Sequence, residues 1–133
     1  MRDVEGKVAV ITGGGSGIGR ATALALARRR ATITICNLPP TTSKATADDI
    51  VAAGGRASAH EVDVTSEPAM RDLVDAVLSE HGALDIVMNN AGILVAPTPT
   101  VEVPLDLFRR VMDVNFWGVV YGSLFFLPHL LAL

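Results

Sequence analysis

The spacing of apolar and polar positions changes period several times along the chain. Residues 7–12 form a short apolar, largely β-branched run that stops at a glycine cluster, which predicts a buried strand and a tight turn. Over 18–30 the period lengthens to that of a helix. Ile18, Ala21, Leu24, Ala25 and Ala27 share one stripe, and three arginines close the last turn, where cations suit the helix dipole. Residues 31–36 predict a second strand. After Pro39-Pro40, one of Thr41, Thr42 or Ser43 caps a helix to about Ala53, ended by Gly54-Gly55. Residues 57–64 predict a weaker third strand. Thr65-Ser66-Glu67-Pro68 then combines a hydroxyl cap with an acid and a proline in the first turn, and starts a helix bearing Met70, Leu73, Val74, Val77 and Leu78 on one face. That helix ends near His81-Gly82, and 84–88 is a fourth strand. A loop with Pro97 and Pro99 follows, and 104–128 is one long helix.

Strands thus alternate with helices. Such a succession implies a parallel sheet covered on both faces and joined by right-handed crossovers. The 133 residues fit one domain, and no repeat, linker or low-complexity stretch divides them.

Composition narrows the classes. Half the residues are apolar and 19% are charged, which excludes a disordered chain. A single cysteine, Cys36, rules out an internal disulfide and argues against a cysteine-based zinc site; no metal site is expected. The net charge is −3, and no basic run exceeds Arg28-Arg29-Arg30, so a nucleic-acid partner is not expected. The N-terminus has no long apolar stretch of the signal-peptide kind, and the chain reads as cytoplasmic.

The candidate chemistry begins at Thr12-Gly13-Gly14-Gly15-Ser16-Gly17-Ile18-Gly19, between the first strand and first helix. In a doubly wound sheet this turn takes a pyrophosphate: glycine lets the backbone approach, and the helix N-terminus offers N–H groups to the anion. The spacing does not match G-x-G-x-x-G. The Walker A pattern also fails, because Arg20 and Ala21 stand where it needs a lysine and a hydroxyl.

Thr12-Gly-x-x-x-Gly17-Ile18-Gly19, then Asp63-Val64, Asn89-Asn90-Ala91-Gly92 and Asn115 follow in order the motifs of the short-chain dehydrogenase/reductase family. The chain resembles that family from about Lys7 to its end. The resemblance implies a Rossmann-like doubly wound parallel sheet, incomplete, with about four strands of the N-terminal half. It implies NAD or NADP as cofactor and hydride transfer between nicotinamide and a carbonyl or alcohol substrate. Gly13, Ser16, Gly17, Ile18 and Gly19 would line the pyrophosphate turn. Asp63 would accept from the adenine amino group beside Val64, and Asn89, Ala91 and Gly92 would wall the adenosine ribose. Asn115 would belong to the catalytic tetrad and help hold a water in a proton relay.

Asn37 ends the second strand, 18 positions after Gly19, where an acid commonly selects NAD through the ribose 2′-hydroxyl. An amide can bond that hydroxyl without repelling a 2′-phosphate, whereas Ser16 stands where relatives that prefer NADP often carry a base. The choice between NAD and NADP stays open.

The family's tyrosine and the lysine four residues later have no match. The one tyrosine, Tyr121, is followed at that spacing by Phe125, and both lysines, Lys7 and Lys44, lie upstream. An ordinary tyrosine titrates near 10, so acid–base work near neutrality needs the neighbouring cation. Tyr121 and Ser123 read as packing residues. The expectation is a chain truncated before the catalytic Tyr/Lys segment, carrying the cofactor-binding half of such an enzyme. The alternative is a non-catalytic dinucleotide-binding or dimerising fragment.

Residues 116–133 carry no formal charge. As a helix they would span about 27 Å, just short of a bilayer core. Two glycines, Pro128, His129 and the helix pattern running in from upstream favour a helix packed on the sheet. In the family this helix also meets its twin, so a homo-oligomer formed through 104–128 is expected rather than a membrane tail.

Overall fold

The computed structural model describes residues 3–39 and 42–132. Four strands, β1 (Val8–Thr12), β2 (Thr32–Asn37), β3 (Arg56–Glu61) and β4 (Ile86–Met88), form one sheet in the order β3-β2-β1-β4. Every pairing is parallel, with Ala9 opposite both Ile33 and Ile86. Side chains alternate across β1. Ala9 and Ile11 pack with Ala23 of α1 (Gly17–Arg28) and with Ala47 and Ile50 of α2 (Ser43–Ala52). Val8 and Val10 pack on the other face, with Met70, Leu73 and Val77 of α3 (Glu67–His81) and Phe126 of α5 (Gly118–Leu131). The expected doubly wound sheet with helices on both faces is therefore present. Phe126, with no exposed surface, is the largest fully buried side chain.

Local signals behave unevenly. Ser66 caps α3 as read, its Oγ accepting from the Ala69 N–H at 3.2 Å, and Gly82 closes that helix at φ 67°. The residue at the N-cap of α2 is Thr42, although its hydroxyl donates to the Gly15 carbonyl instead of capping; Thr41 lies outside the described residues. The stripe expected on α1 is right only in part. Leu24 and Ala27 pack on the core, but Ile18 is 73% exposed and Ala21 and Ala25 face outward, and the buried positions are Gly19 and Ala23. The sheet demands small residues where α1 crosses it, and in an alanine-rich helix the apolar stripe does not disclose that face. α1 also stops at Arg28. Arg29 caps it and Arg30 turns left-handed at φ 65°, its guanidinium 2.8 Å from Glu5.

β3 ends at Glu61, earlier than expected, so Asp63 and Val64 lie beyond it in the connection to α3. The helix expected over 104–128 is α4 (Leu105–Met112) running through a wide π turn (Asp113–Trp117) into α5, after a short 3-10 turn at Thr100–Glu102. It continues past Pro128 to Leu131, because Phe126 before the proline and Leu130 after it both pack on the α3 side. Pro128 itself is exposed and forfeits only its own N–H bond.

Polar contacts fasten β4 to β1 at their entrance. Asp85 accepts from the Val8 N–H at 2.9 Å and from Lys7 Nζ at 2.9 Å. Burial alone would raise the Asp85 carboxyl, but the Val8 bond and the Lys7 charge outweigh it and hold its pKa below the ordinary value. A carboxylate favoured by folding stabilises above its unfolded pKa and ceases to as pH falls through the folded one. Asp85→Asn should therefore cost about 1–2 kcal/mol at neutral pH. In urea titrations at stepped pH its deficit should close through the acid range.

Candidate functional site

The chain leaves β3 and returns to the opposite side of β1 to form β4, so the strand order reverses between β1 and β4. Crevices outside the carboxyl ends of the strands at such a reversal are where open α/β sheets take ligands. A cleft of about 300 Å³ opens there.

Its floor is made by two interlocked loops. Thr12, at the end of β1, is 2% exposed. Its Oγ1 accepts from the Asn90 N–H at 3.0 Å and the Ala91 N–H at 3.1 Å, and donates to the Met88 carbonyl at 3.4 Å. Asn90 Nδ2 returns the contact, donating to the carbonyls of Thr12 and Gly13 at 3.1 and 3.2 Å. The approach requires glycine at two points. Gly13 has φ 66°, and a Cβ on it would lie 2.9 Å from Ala91 Cα; a Cβ on Gly19 would lie 2.5 Å from the Gly13 carbonyl oxygen.

α1 begins at the cleft behind Ser16, which lines it. The first N–H groups of a helix have no partner inside the helix. On α3 they meet the Ser66 hydroxyl, with Glu67 in the first turn; on α1 the Ser16 side chain makes no capping bond and the first turn holds no acid. The positive end of α1 is left for an anion.

Of the residues singled out in the sequence, Gly13, Ser16, Asn37, Asp63, Val64, Ala91 and Gly92 line the cleft. Gly17, Ile18 and Gly19 open α1 beside it without lining it. Asp63 Oδ1 accepts from the Thr65 N–H and hydroxyl at 2.9 and 2.7 Å, and among the described residues nothing donates to Oδ2. Asn89 does not join the wall. It turns to α5, where Nδ2 donates to Ser123 Oγ at 3.2 Å and Oδ1 lies buried against Gly122 without a hydrogen-bond partner. The two asparagines sit at successive positions of a chain just out of a strand, so they face opposite ways.

Asn115 stands behind the wall as well. Its Oδ1 accepts from the Ile93 N–H at 2.8 Å and its Nδ2 donates to the Ile93 carbonyl at 2.7 Å, so the amide clamps the backbone that follows Gly92. The residue is exposed overall, not enclosed in an apolar core as its sequence neighbours suggest.

Sequence reasoning missed Cys36, Leu38, Val62, Asn90, Ile93, Arg110 and Val114, which complete the lining. Val62 was visible as the partner of Val64 at strand spacing, and Val114 as the neighbour of Asn115. Burial, helped by the charge of Glu80, pushes the Cys36 thiol up to about 12, so it stays protonated and is no nucleophile. Tyr121 stacks on Phe125, with ring centroids 5.7 Å apart and planes 6° from parallel.

Comparison with known proteins gives this geometry its class. The family model described as short chain dehydrogenase matches residues 7–132. The chain is 39% identical over 126 residues to cyclohexanol dehydrogenase of Acinetobacter sp. (strain SE19), covering 95% of this chain and 50% of that one. The fold superimposes with a TM-score of 0.94 on a short-chain dehydrogenase/reductase from Burkholderia phymatum crystallised with NAD. The two share 33% identity over 99% of this chain and 47% of that one. A metagenomic short-chain oxidoreductase crystallised with NADP gives a TM-score of 0.91 at 30% identity, over 98% of this chain and 59% of that one. The chain belongs to the short-chain dehydrogenase/reductase family. It spans about half the length of the cyclohexanol dehydrogenase and of the Burkholderia enzyme.

Thr12→Val keeps the shape of the brace and removes its oxygen, leaving the Asn90 and Ala91 N–H groups without their acceptor. Unfolding in urea should show a loss of about 1–3 kcal/mol. Thr12→Ser should recover most of it.

Proposed function

We propose that this chain is the cofactor-binding half of an NAD(P)-dependent oxidoreductase that moves hydride between nicotinamide and a carbonyl or alcohol. The observation that carries the reading is the uncapped, acid-free start of α1 at the mouth of the cleft. A diphosphate fits there: two negative groups meet the helix N-terminus where glycine admits close approach. When bound, the dinucleotide supplies or accepts the hydride.

In this reading Gly13, Ser16, Gly17, Ile18 and Gly19 seat the diphosphate, and Asn37 bonds the adenosine ribose. Asp63 presents Oδ2 to the adenine amino group beside Val64, and Ala91 and Gly92 form the wall along the ribose. Asn115 holds that wall through Ile93, and Asn89 anchors the strand behind it to α5. A part for Asn115 in proton relay requires the remainder of the active site. The whole forms one dinucleotide-binding domain, acting in the cytoplasm.

A second reading is supported by Tyr121, which is stacked on Phe125 and has no lysine at the catalytic spacing. By itself the polypeptide binds dinucleotide without turning it over, or dimerises. The long helix favours self-association, since Leu105, Phe108, Met112, Phe116 and Trp117 are all substantially exposed on it.

Calorimetric titration of the purified chain with NADH and NADPH should show both binding, with no carbonyl reduction by the chain alone. A folded sample that binds neither nucleotide would refute the reading, and turnover would refute the division into halves. Asn37→Asp places a carboxylate against a 2′-phosphate. It should weaken NADPH by roughly tenfold or more and leave NADH within a few-fold.

A further inference from the structure

We propose that Arg110 closes over the adenine base and acts as the cation that grips the purine face. The proposal rests on the cleft being a dinucleotide site. Among the described residues Arg110 is the sole cation lining that cleft and Asp63 the sole acid. Among the described residues Arg110 has no ion pair or hydrogen bond, whereas Arg20, Arg30 and Arg71 each meet a carboxylate at 2.7–3.0 Å. The side chain is therefore available to a ligand.

Its position selects the part of the ligand. Arg110, Val114 and Gly118 recur every four residues along α4, the π turn and α5. Gly118 rests on Val64 so closely that a Cβ would come within 2.8 Å of Val64 Cγ2, and Val114 is buried in the cleft wall. Val64, Val114 and Arg110 all line the cleft, and Arg110 is the exposed member of the stripe. Apolar valine walls of this kind suit a flat base. Among the described residues no aromatic side chain lines the cleft, so a π face there is one the ligand brings. A guanidinium is planar and weakly hydrated and stacks on such a face. Asp63, which meets the adenine amino group in the reading above, directly precedes Val64, the residue on which Gly118 of the same stripe rests. Arg110 accordingly belongs with the base and not with the 2′ substituent.

The test is calorimetry on the purified chain and its Arg110→Ala and Arg110→Lys variants, with ADP-ribose, NADH, NADPH and nicotinamide mononucleotide as probes. Arg110→Ala should weaken the first three by the same factor, about three- to tenfold, and leave the mononucleotide unchanged. Arg110→Lys should recover only part, since it restores charge without the plane. Thermal unfolding of the variants should match the parent, because Arg110 is exposed. Unchanged ADP-ribose affinity in Arg110→Ala would overturn the proposal, as would a loss confined to NADPH. If the parent binds none of the adenine nucleotides, the reading of the cleft fails and this proposal falls with it.

Discussion

The side chain of Thr12 is the point on which the site depends. β4 contributes three residues and, among the described residues, pairs with β1 alone. Three residues of parallel ladder are a weak attachment. At the far end of the ladder Thr12 Oγ1 binds the Asn90 and Ala91 N–H groups, while Asn90 Nδ2 binds back to Thr12 and Gly13. At the near end Asp85 receives Val8 and Lys7. The short strand is thereby stitched at both ends by side chains, and the walls of the cleft inherit a fixed separation. Without the far stitch, the glycine loop and the Asn90–Gly92 segment would be two independent turns with two backbone N–H groups unsatisfied between them.

The same chain starts two of its helices in opposite ways, and the difference separates structure from function. α3 opens with Ser66 as a cap, Glu67 against the dipole and Pro68 in the first turn. A cap, an acid and a proline thus serve the helix itself at this start. α1 opens with Ser16 in extended backbone and no capping bond, no first-turn acid, and glycines at 17 and 19. A helix start that forgoes these aids is less stable by itself, and becomes stable when an external anion completes it. The sheet keeps α1 in place meanwhile through Ala23, which packs in one cluster with Ala9, Ile11 and Ile35, while Gly19 lies against Gly13 and Asn90 of the two loops.

Much of this was legible from residue order. Strand and helix alternated as read, because β1 and β2 are buried on both faces and so built almost wholly from β-branched and small residues, and the faces of α3 are plain in Met70, Leu73, Val74 and Val77. α1 misled because alanine carries almost no facial information; burial there was decided by how near the helix must come to the sheet. The Asn89–Asn90 pair misled for another reason. Both residues sit where the motif puts them, but the alternation of side chains out of β4 sends Asn90 to the glycine loop and Asn89 to α5. Arg110 could not be placed at all until the packing of Gly118 on Val64 fixed the path of the helix that carries it.

The apolar helix that ends the chain is explained by its polar anchors. From Leu105 to Leu131 it is long and apolar enough to cross a membrane, and only 22% of its most apolar window is buried here. Composition alone cannot separate a lipid-facing helix from one awaiting protein. The anchors can. Asn115 grips both backbone groups of Ile93, Ser123 receives Asn89, Gly122 admits the Asn89 side chain, and Arg71 of α3 lies 4.1 Å over the Phe125 ring. Four contacts that tie one helix to a loop, a strand end and a neighbouring helix would all be lost if it left the sheet for a bilayer. The side facing away carries Leu124, Leu127 and Leu131. The helix is thus held on one face by these contacts, while its other face stays apolar and exposed, which is the feature on which the proposed self-association rests.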